Sequence, residues 1–309
     1  MPAAVKIPPE LRGLLRLGTC SWKYDSWKGL IYEAGKRYRP DDYLGDYAKV
    51  LDSVEVDQWF WSLFPGRARL PEPRTISLYE KSVPEGFSFT VKAPNALTLT
   101  HHYKNQPAGS AAFADQPNPN FLDEGLLRRF LDILSPLGPK LGPIMFQFDY
   151  LNKKKMPTAE AFYDRFGAFI SKAPMGFQYA VEIRNANYFS PAFFGFLKEH
   201  GLGFVYLDGY YMPPIGKVFE DFAPETAAFQ IIRLHGGDRL EIEGETGEVW
   251  NKIAAPKPEG LESAARIVRS NARKNILTYV NFNNHYEGSA PLSIRRFLET
   301  LEPGVEKTD

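Results

Sequence analysis

The sequence predicts an α/β fold, a single (β/α)₈ TIM barrel, and three observations lead to this prediction. Eight apolar runs of strand length recur along the 309 residues, separated mostly by helical or long polar segments, as in a chain of βαβ units. No G-x-G-x-x-G sequence follows any of these runs, which argues against the competing open, doubly wound sheet. No change in composition and no internal repeat marks a domain boundary. We therefore expect one domain over residues 1–309, with its core at about residues 15–301.

The elements alternate in the order that a barrel requires. Thr158 and Ser190 are suited to cap the helices that follow them, and Pro191 suits a first helical position. Residues 210–226 are rich in Pro and are predicted to be irregular. Strands are predicted at 15–21, 53–59, 87–93, 143–149, 178–184, 203–208, 229–235 and 277–283, and helices at 41–51, 123–135, 158–172, 191–200, 259–274 and 289–301.

Three long segments are expected at the carboxyl ends of the strands, the face on which barrel enzymes place their active sites. They follow strands three, six and seven, at residues 101–121, 210–226 and 236–258. Segments of this length without regular structure are usually functional or disordered. Trp250 and Ile253 in the last of them predict that it packs partly against the barrel.

Composition is that of an ordinary globular protein, with 44% hydrophobic and 24% charged residues. The 37 basic and 37 acidic residues cancel, so the chain lacks the overall charge of a non-specific nucleic-acid or membrane binder. Cys20 is the only cysteine, which excludes an internal disulfide. The N-terminal residues do not resemble a signal peptide, and no apolar run approaches the ~20 residues that span a bilayer. We expect a cytoplasmic protein without a membrane partner.

The strands carry polar residues on the face that should line the barrel. On strand five, for example, Ala180, Glu182 and Arg184 alternate with Val181 and Ile183. On most strands the uniformly apolar face suits the covering helices, so the polar face must point inward, where branched apolar residues are usual. The predicted inward ring contains Glu55, Asp57, Lys92, Gln147, Glu182, Arg184, Asp208, Arg233, His235, Asn281 and Asn283.

Burying such a ring costs free energy, and apolar packing would stabilise the barrel equally well, so stability alone does not explain it. The predicted chemistry is general acid–base catalysis by Glu55, Glu182 and His235. Lys92, Arg184 and Arg233 would bind a carboxylate or phosphate, and the other members of the ring would complete the binding site. The alternatives are that Glu182 and Arg184 form a structural ion pair and that His235 is an ordinary core residue.

An anion site is also predicted at the ends of strands seven and eight, a common phosphate position in this fold. Gly236 and its neighbour Gly237 can present backbone N–H groups there, and Gly288 and Ser289 precede the last helix. The alternative is that these residues only form turns and a helix cap.

No metal and no cofactor are expected. A divalent cation would use Glu182, Asp208, His235 and one of Glu55 or Asp57, but the neighbouring cationic residues would compete with it, and no metal-binding motif is present. Aromatic residues at the rim are a further option for binding, since their rings can stack on a sugar or an unstacked base. They are Trp22, Tyr24, Trp27, Trp59, Trp61, Tyr210 and Tyr211.

The same polar residues carry a resemblance to a known family. Nearly the whole chain, from Leu15 to Leu301, resembles the YecE-like family, also called domain of unknown function 72. The resemblance implies a TIM barrel, adds His101 to the expected binding residues, and implies no established activity. Its motifs are 18–22 (GTCSW), 54–57 (VEVD), 87–92 (FSFTVK), 100–101 (TH), Gln147, 181–184 (VEIR), 233–236 (RLHG) and 282–284 (FNN) with Gly288 and Ala290.

Three segments depart from the family pattern and concern the outer part of the predicted pocket. They are 57–61 (DQWFW), 148–150 (FDY) and Asn185. We expect an enzyme that acts by general acid–base chemistry on a small anionic, phosphorylated or polyhydroxylated ligand. The alternatives are a nucleic-acid-binding or nuclease-like barrel, a class to which some family members have been likened, and a ligand-binding protein without catalytic activity.

Overall fold

The computed structural model describes residues 4–103 and 113–302. Eight parallel strands form a nearly closed barrel in the order β1-β10-β9-β8-β7-β6-β5-β2, and β3 and β4 form a small antiparallel hairpin beside it. The strands are β1 (Leu15–Thr19), β2 (Ser53–Val56), β3 (Leu63–Phe64), β4 (Arg67–Ala68), β5 (Ser88–Lys92), β6 (Leu141–Phe148), β7 (Tyr179–Ile183), β8 (Gly203–Gly209), β9 (Phe229–Gly236) and β10 (Leu277–Phe282). The predicted fold class is confirmed, and each barrel strand lies within a few residues of its predicted position.

The helices cover the outside of the barrel and its carboxyl end. They are α1 (Tyr43–Tyr47), α2 (Pro73–Ser82), α3 (Asn95–Thr98), α4 (Glu124–Leu134), α5 (Ala159–Ile170), α6 (Pro191–Glu199), α7 (Ile215–Phe222), α8 (Arg239–Thr246), α9 (Pro258–Arg273), α10 (Asn284–Glu287) and α11 (Ala290–Leu301). The two predicted caps are confirmed, because Thr158 accepts a hydrogen bond from Ala161 N and Ser190 accepts one from Phe193 N. Pro191 is the first residue of α6.

Several elements were missed by the sequence prediction. The prediction of irregular structure at 210–226 is wrong because α7 lies there, directly after Pro214. Within 236–258, Asp238 caps α8 and Trp250 is buried, so this long segment contains a helix and packs as expected. Part of the segment 101–121 lies outside the described residues.

One face of each barrel strand packs against the covering helices, and this face is apolar. Phe146 and Phe148 of β6, for example, contact Phe166 of α5 edge to face, with ring centroids 5.5 and 5.1 Å from that of Phe166. The lower half of the barrel interior is filled by a smaller apolar cluster of Met145, Ala180, Val205, Phe229, Ile231 and Tyr279. Only the upper half of the interior is therefore open to polar residues.

The barrel closes between β1 and β2 by side-chain contacts rather than by a regular ladder. Tyr47 of α1 accepts a hydrogen bond from Thr19 N at 3.0 Å and donates one to Ser53 O at 2.9 Å. Asp52 accepts from Leu17 N at 3.0 Å and pairs with Arg16 at 3.1 Å. Farther along, Ser21 N donates to Glu55 O at 3.2 Å. We call these contacts the seam.

The seam also explains a glycine in β1. A Cβ atom on Gly18 would collide with the Ser53 carbonyl oxygen across the gap, so the two strands approach this closely only because the side chain is absent. Among the described residues, no helix is long and apolar enough to cross a membrane.

Candidate active site

Two polar layers occupy the upper half of the barrel, and the register of the strands produces both. Glu55 pairs with Thr90, Gln147 pairs with Glu182, and Arg233 pairs with Asn281 on neighbouring strands. We call these six residues the buried layer. Two positions farther along the chain, at or just beyond the ends of the same strands, come the six residues of the mouth layer, which face the same way because side chains alternate. They are Asp57, Lys92, Asp149, Arg184, His235 and Asn283.

The centre of the buried layer is an ion triad in which Arg233 bridges two carboxylates. Its guanidinium donates to both oxygens of Glu55, at 2.8 and 2.7 Å, and to Glu182 Oε2 at 2.5 Å. Asn281 Nδ2 donates to Glu55 Oε2 at 3.2 Å. All three members of the triad are essentially unexposed, at 0–1%. Each charge has its hydrogen-bond partners, which is the condition for burying it.

The triad residues stabilise each other's charged forms. Burial acts against the charge on Glu182, but Arg233 and then Arg184 lower the pKa of this carboxyl. Burial likewise opposes the charge on Arg233, but Glu182 and Glu55 raise its pKa well above the usual value. Glu55 and Glu182 are held beneath the cavity described next and do not line it. The acid–base role predicted for these two residues stays a prediction, and their described contacts are those of supporting residues.

A cavity of about 420 Å³ opens above this layer, at the carboxyl ends of the strands. The mouth layer forms much of its wall, and Gln147 and Cys20 also reach it. Aromatic rings and residues from loops complete the lining, namely Tyr24, Phe60, Trp61, Tyr103, Tyr210, Gly237, Arg239 and His285. The cavity is thus built from nearly every part of the barrel rim.

His235 is held in one neutral tautomer. The backbone N–H of His285 donates to Asn283 Oδ1 at 2.9 Å, so the amide nitrogen of Asn283 faces the other way, 3.4 Å from His235 Nε2. An amide nitrogen only donates, so Nε2 is the acceptor and the proton of a neutral ring is on Nδ1. Burial, followed by the charges of Arg233 and Arg184, lowers the pKa of His235 well below its usual 6.5. The imidazole is therefore uncharged at neutral pH.

Arg184 connects the two layers at one wall of the cavity. Its Nε donates to Glu182 at 3.3 Å, its Nη1 lies 3.7 Å from Asp149, and its guanidinium lies 4.1 Å from the centroid of the Tyr210 ring. The Tyr210 ring also contacts His235, with centroids 4.9 Å apart. Arg184 is partly exposed, unlike Arg233, and so remains available to a ligand.

Three further residues of the mouth layer, Asp57, Asp149 and Lys92, have shifted pKa values. Burial, followed by the charge of Glu55, raises the pKa of Asp57. Burial also raises the pKa of Asp149 against the effect of Arg184. Burial, followed by the charge of Arg233, lowers the pKa of Lys92. Each shift favours the uncharged form, which places proton donors and acceptors in one cavity.

An unpartnered atom in the cavity wall also points to a ligand. Gln147 is 3% exposed, and its Oε1 has no hydrogen-bond partner among the described residues. Buried polar atoms are rarely left unpaired, so an acceptor of this kind is suited to a donor supplied by a ligand or water.

Most of the predicted ring is brought together, but some predicted site residues lie elsewhere. Asp208 follows Phe204 and Tyr206 on the outward face of β8, where Tyr286 OH donates to it at 3.1 Å. His101 contacts Thr100 at 2.9 Å and does not line the cavity. The prediction that Asp208 belongs to the ring is therefore wrong in position, because this residue faces the helices.

The predicted anion site is largely occupied by the protein itself. At the start of α11, Ala290 N donates to the Asn284 side chain at 3.0 Å. Ser289 is fully buried behind Gly288, and neither residue lines the cavity. At the start of α8, Asp238 already accepts from Leu240 N at 2.8 Å.

Gly236 has a packing role in the same region. A side chain there would collide with the His285 carbonyl, and its φ of +89° suits glycine. Only its neighbour Gly237 reaches the cavity.

Sequence reasoning missed three titratable residues of the cavity, Asp149, Arg239 and His285. Asp149 alternates correctly with Gln147 on β6, so the period of the strand was a signal for it. Arg239 and His285 follow the strands in segments without periodicity, and nothing in the sequence indicated that they reach the cavity. His285 also contacts Glu243 at 3.1 Å, so α8 is tied to the rim.

The fold and the cavity define a class of protein, a (β/α)₈ barrel with a charged layer beneath a polar mouth. The family model described as "Protein of unknown function DUF72" matches residues 16–308, and the chain belongs to this family. The resemblance seen in the sequence is thereby confirmed.

Solved structures agree with this assignment. A DUF72 family protein from Enterococcus faecalis V583 is 19% identical with a TM-score of 0.64, over 94% of this chain and 97% of that chain. A second one, from Thermotoga maritima MSB8, is 22% identical with a TM-score of 0.63, over 94% of this chain and 100% of that chain. At these identities the likeness shows the fold alone. The comparison with curated proteins gave no match.

Proposed function

We propose that this protein is an enzyme whose active site is the mouth cavity and which acts by general acid–base chemistry on a small polar ligand. One observation carries the proposal: two carboxyl groups with raised pKa, an amine with lowered pKa and a neutral imidazole line the same cavity. Groups shifted towards neutrality in a cleft are typical of catalytic sites.

The size of the cavity supports a small ligand. Its volume of about 420 Å³ lies within the range of roughly 300–1,000 Å³ that is usual for small-molecule sites. The ligand would be polar, because polar side chains at the ends of six strands face it. Arg184 and Arg239 are suited to hold an anionic group, and the Trp61 and Tyr210 rings to cover a sugar-like face.

The proton chemistry divides between two kinds of group. Asp57 and Asp149 have raised pKa values, so they are better suited to donate a proton than ordinary aspartates are. His235 is neutral and its Nε2 bears a lone pair, so it is suited to accept one. The buried triad would fix the geometry of these groups from below without touching the ligand.

The test is to incubate the purified protein with a cell extract of small polar metabolites and to follow by mass spectrometry which compounds are consumed and formed. We expect the wild-type protein to convert at least one compound, and Asp57→Asn and His235→Gln to do so at least about 100-fold more slowly. Lys217→Met is the control, because Lys217 lies on the exposed face of α7, where it pairs with Asp221.

Three results would overturn the proposal. The first is binding without conversion, the behaviour of a non-enzymatic ligand-binding protein. The second is salt-dependent binding of single-stranded DNA that both cavity variants retain, which would favour the nucleic-acid alternative. The third is conversion that neither variant slows.

A further inference from the structure

Lys92 is a buried amine without a hydrogen-bond or ion-pair partner in the described part of the chain. It is the last residue of β5, is 8% exposed, and lines the mouth cavity. Among the residues that the structure describes, no side chain or backbone oxygen forms a hydrogen bond or ion pair with it. Its Nζ lies over the Phe60 ring, 3.9 Å from the ring centroid. A buried lysine normally has an acceptor for its ammonium, as Lys140 has in Glu80 at 2.9 Å.

The surroundings of Lys92 favour the neutral amine. Burial is the largest cause of its lowered pKa, and the fixed charge of Arg233 beneath it is the next. Glu55, Glu182 and Asp57 oppose this shift without reversing it. Desolvation and a neighbouring cation are the two ways in which proteins make a lysine nucleophilic.

We propose that Lys92 is a nucleophile that forms a Schiff base with an aldehyde or ketone bound in the mouth cavity. The proposal rests on the proposed function in one respect, that the cavity is an active site, and it adds the class of substrate, a small carbonyl compound. A lysine that only binds an anion gains from being charged, and Arg184 and Arg239 already supply permanent charges to the cavity.

The covalent step balances with groups at hand. The lone pair of neutral Nζ forms a bond to the carbonyl carbon, and a proton moves from the nitrogen to the carbonyl oxygen to give a carbinolamine. Protonated Asp57 or Asp149 then gives a proton to the hydroxyl, which leaves as water as the C=N bond forms. The products are a protonated Schiff base, one water molecule and a carboxylate, and addition of water reverses the sequence.

The residues nearby suit this sequence of steps. Asp57, Asp149 and His235 line the same cavity as Lys92, and each interacts with it electrostatically. The positive charge of the Schiff base acidifies the C–H bond on the adjacent carbon. Neutral His235 is suited to take that proton, which would leave an enamine.

The test is reductive trapping. The protein is incubated with pyruvate, glyoxylate or glyceraldehyde together with sodium cyanoborohydride, and digested peptides are mapped by mass spectrometry. We expect the peptide containing Lys92 to gain the mass of the carbonyl compound less one oxygen atom. The adduct should form on Lys92 at carbonyl concentrations that leave the exposed Lys217 unmodified.

Two variants test whether Lys92 acts as a nucleophile or only through its positive charge. Lys92→Met should lose the adduct and the conversion of metabolites. Lys92→Arg keeps the positive charge but cannot form a Schiff base, so it should lose both as well, with an unchanged circular dichroism spectrum as the check on folding. Retention of conversion in Lys92→Arg would overturn the proposal.

The experiments distinguish failure of the Schiff-base proposal from failure of the proposed function. An adduct no more frequent on Lys92 than on Lys217, together with intact conversion of metabolites, overturns the Schiff base and leaves the proposed function standing. Absence of both the adduct and any conversion overturns the two proposals together.

Discussion

The two polar layers of the barrel differ in how their charges are compensated. In the buried layer, Arg233 contacts both Glu55 and Glu182 at hydrogen-bond distance, and the three side chains are at most 1% exposed. In the mouth layer, only two positions farther along the strands, Lys92 has no such partner among the described residues, and Arg184 lies 3.7 Å from Asp149. Charged residues of the same types therefore have different roles in the two layers. Charges that satisfy each other hold the shape of the barrel, whereas charges left incompletely satisfied are available to a ligand.

The largest effect is expected from removing the central cation of the buried layer. Arg233→Met leaves two buried carboxylates without a counter-charge, and the free energy of unfolding should fall by about 3–5 kcal/mol. Urea denaturation followed by tryptophan fluorescence measures this change. The matched control is Arg184→Met in the mouth layer, which should lose much less because Arg184 is partly exposed.

A variant that does not fold would still allow a test of the buried layer. In the triple variant Glu55→Gln, Glu182→Gln and Arg233→Met, no carboxylate requires compensation, so part of the lost stability should return. The description of the triad as mutually compensating is wrong if the triple variant is less stable than Arg233→Met.

The two layers can also be compared through two carboxylate residues, Glu55 of β2 and Asp57 just after this strand. Glu55→Gln loses charge-assisted bonds to Arg233 and should reduce the free energy of unfolding by about 1–3 kcal/mol. Asp57→Asn replaces a carboxyl whose burial is unfavourable, and stability should stay equal or rise by roughly 0.5–2 kcal/mol. The measurement is again urea denaturation, and equal losses in the two variants would contradict the distinction between the layers.

A smaller effect is expected at the rim. Tyr210→Leu removes the ring that Arg184 covers and should cost about 0.5–1 kcal/mol. Tyr211→Leu is the control, since Tyr211 is fully exposed and its loss should change little. Thermal unfolding of both variants gives the comparison, and equal melting temperatures would show that the Arg184–Tyr210 contact does not contribute.

The smallest effect concerns pH. The pKa of His235 is lowered in the folded protein, so its contribution to stability is present above about pH 6.5 and is lost as the pH falls, because only the unfolded chain takes up the proton. His235→Gln should therefore show a shallower loss of stability between about pH 6.5 and about pH 5.5. Urea midpoints at several pH values test this, and identical slopes would mean that His235 does not titrate differently on unfolding.

The sequence predicts the barrel well because the strands carry strong local signals. Segments such as 55–57 and 182–184 place a polar residue on either side of an apolar one, so both faces can be assigned from alternation. The β3–β4 hairpin has strands of two residues, too short to show any period. Helix α2 buries only Ile76 and Tyr79, so its apolar pattern is weak. Helix α7 does carry apolar residues at helical spacing, namely Ile215, Val218, Phe219 and Phe222. The prediction missed it because the prolines before it favour irregular structure.

The sequence predicts most residues of the candidate site, but not how deep in the barrel each of them lies. Glu55 and Asp57 share one face of β2, and only the stagger of the strands decides that Arg233 reaches the first and not the second. Asp208 could have been placed correctly, because it shares a face with Phe204 and Tyr206, which suit the covering helices. Arg239 and His285 belong to segments after the strands, whose positions follow from tertiary packing rather than from local sequence.

The seam has a consequence for motion. Leu17 and Thr19 donate their backbone N–H groups to the side chains of Asp52 and Tyr47, and a side chain can swing away without displacing a strand. We therefore expect these two amides to exchange with deuterium earlier than those bonded within the ladders. Cys20 bridges to Glu55 at the seam and also lines the cavity. A movement between β1 and β2 would therefore change the width of the cavity.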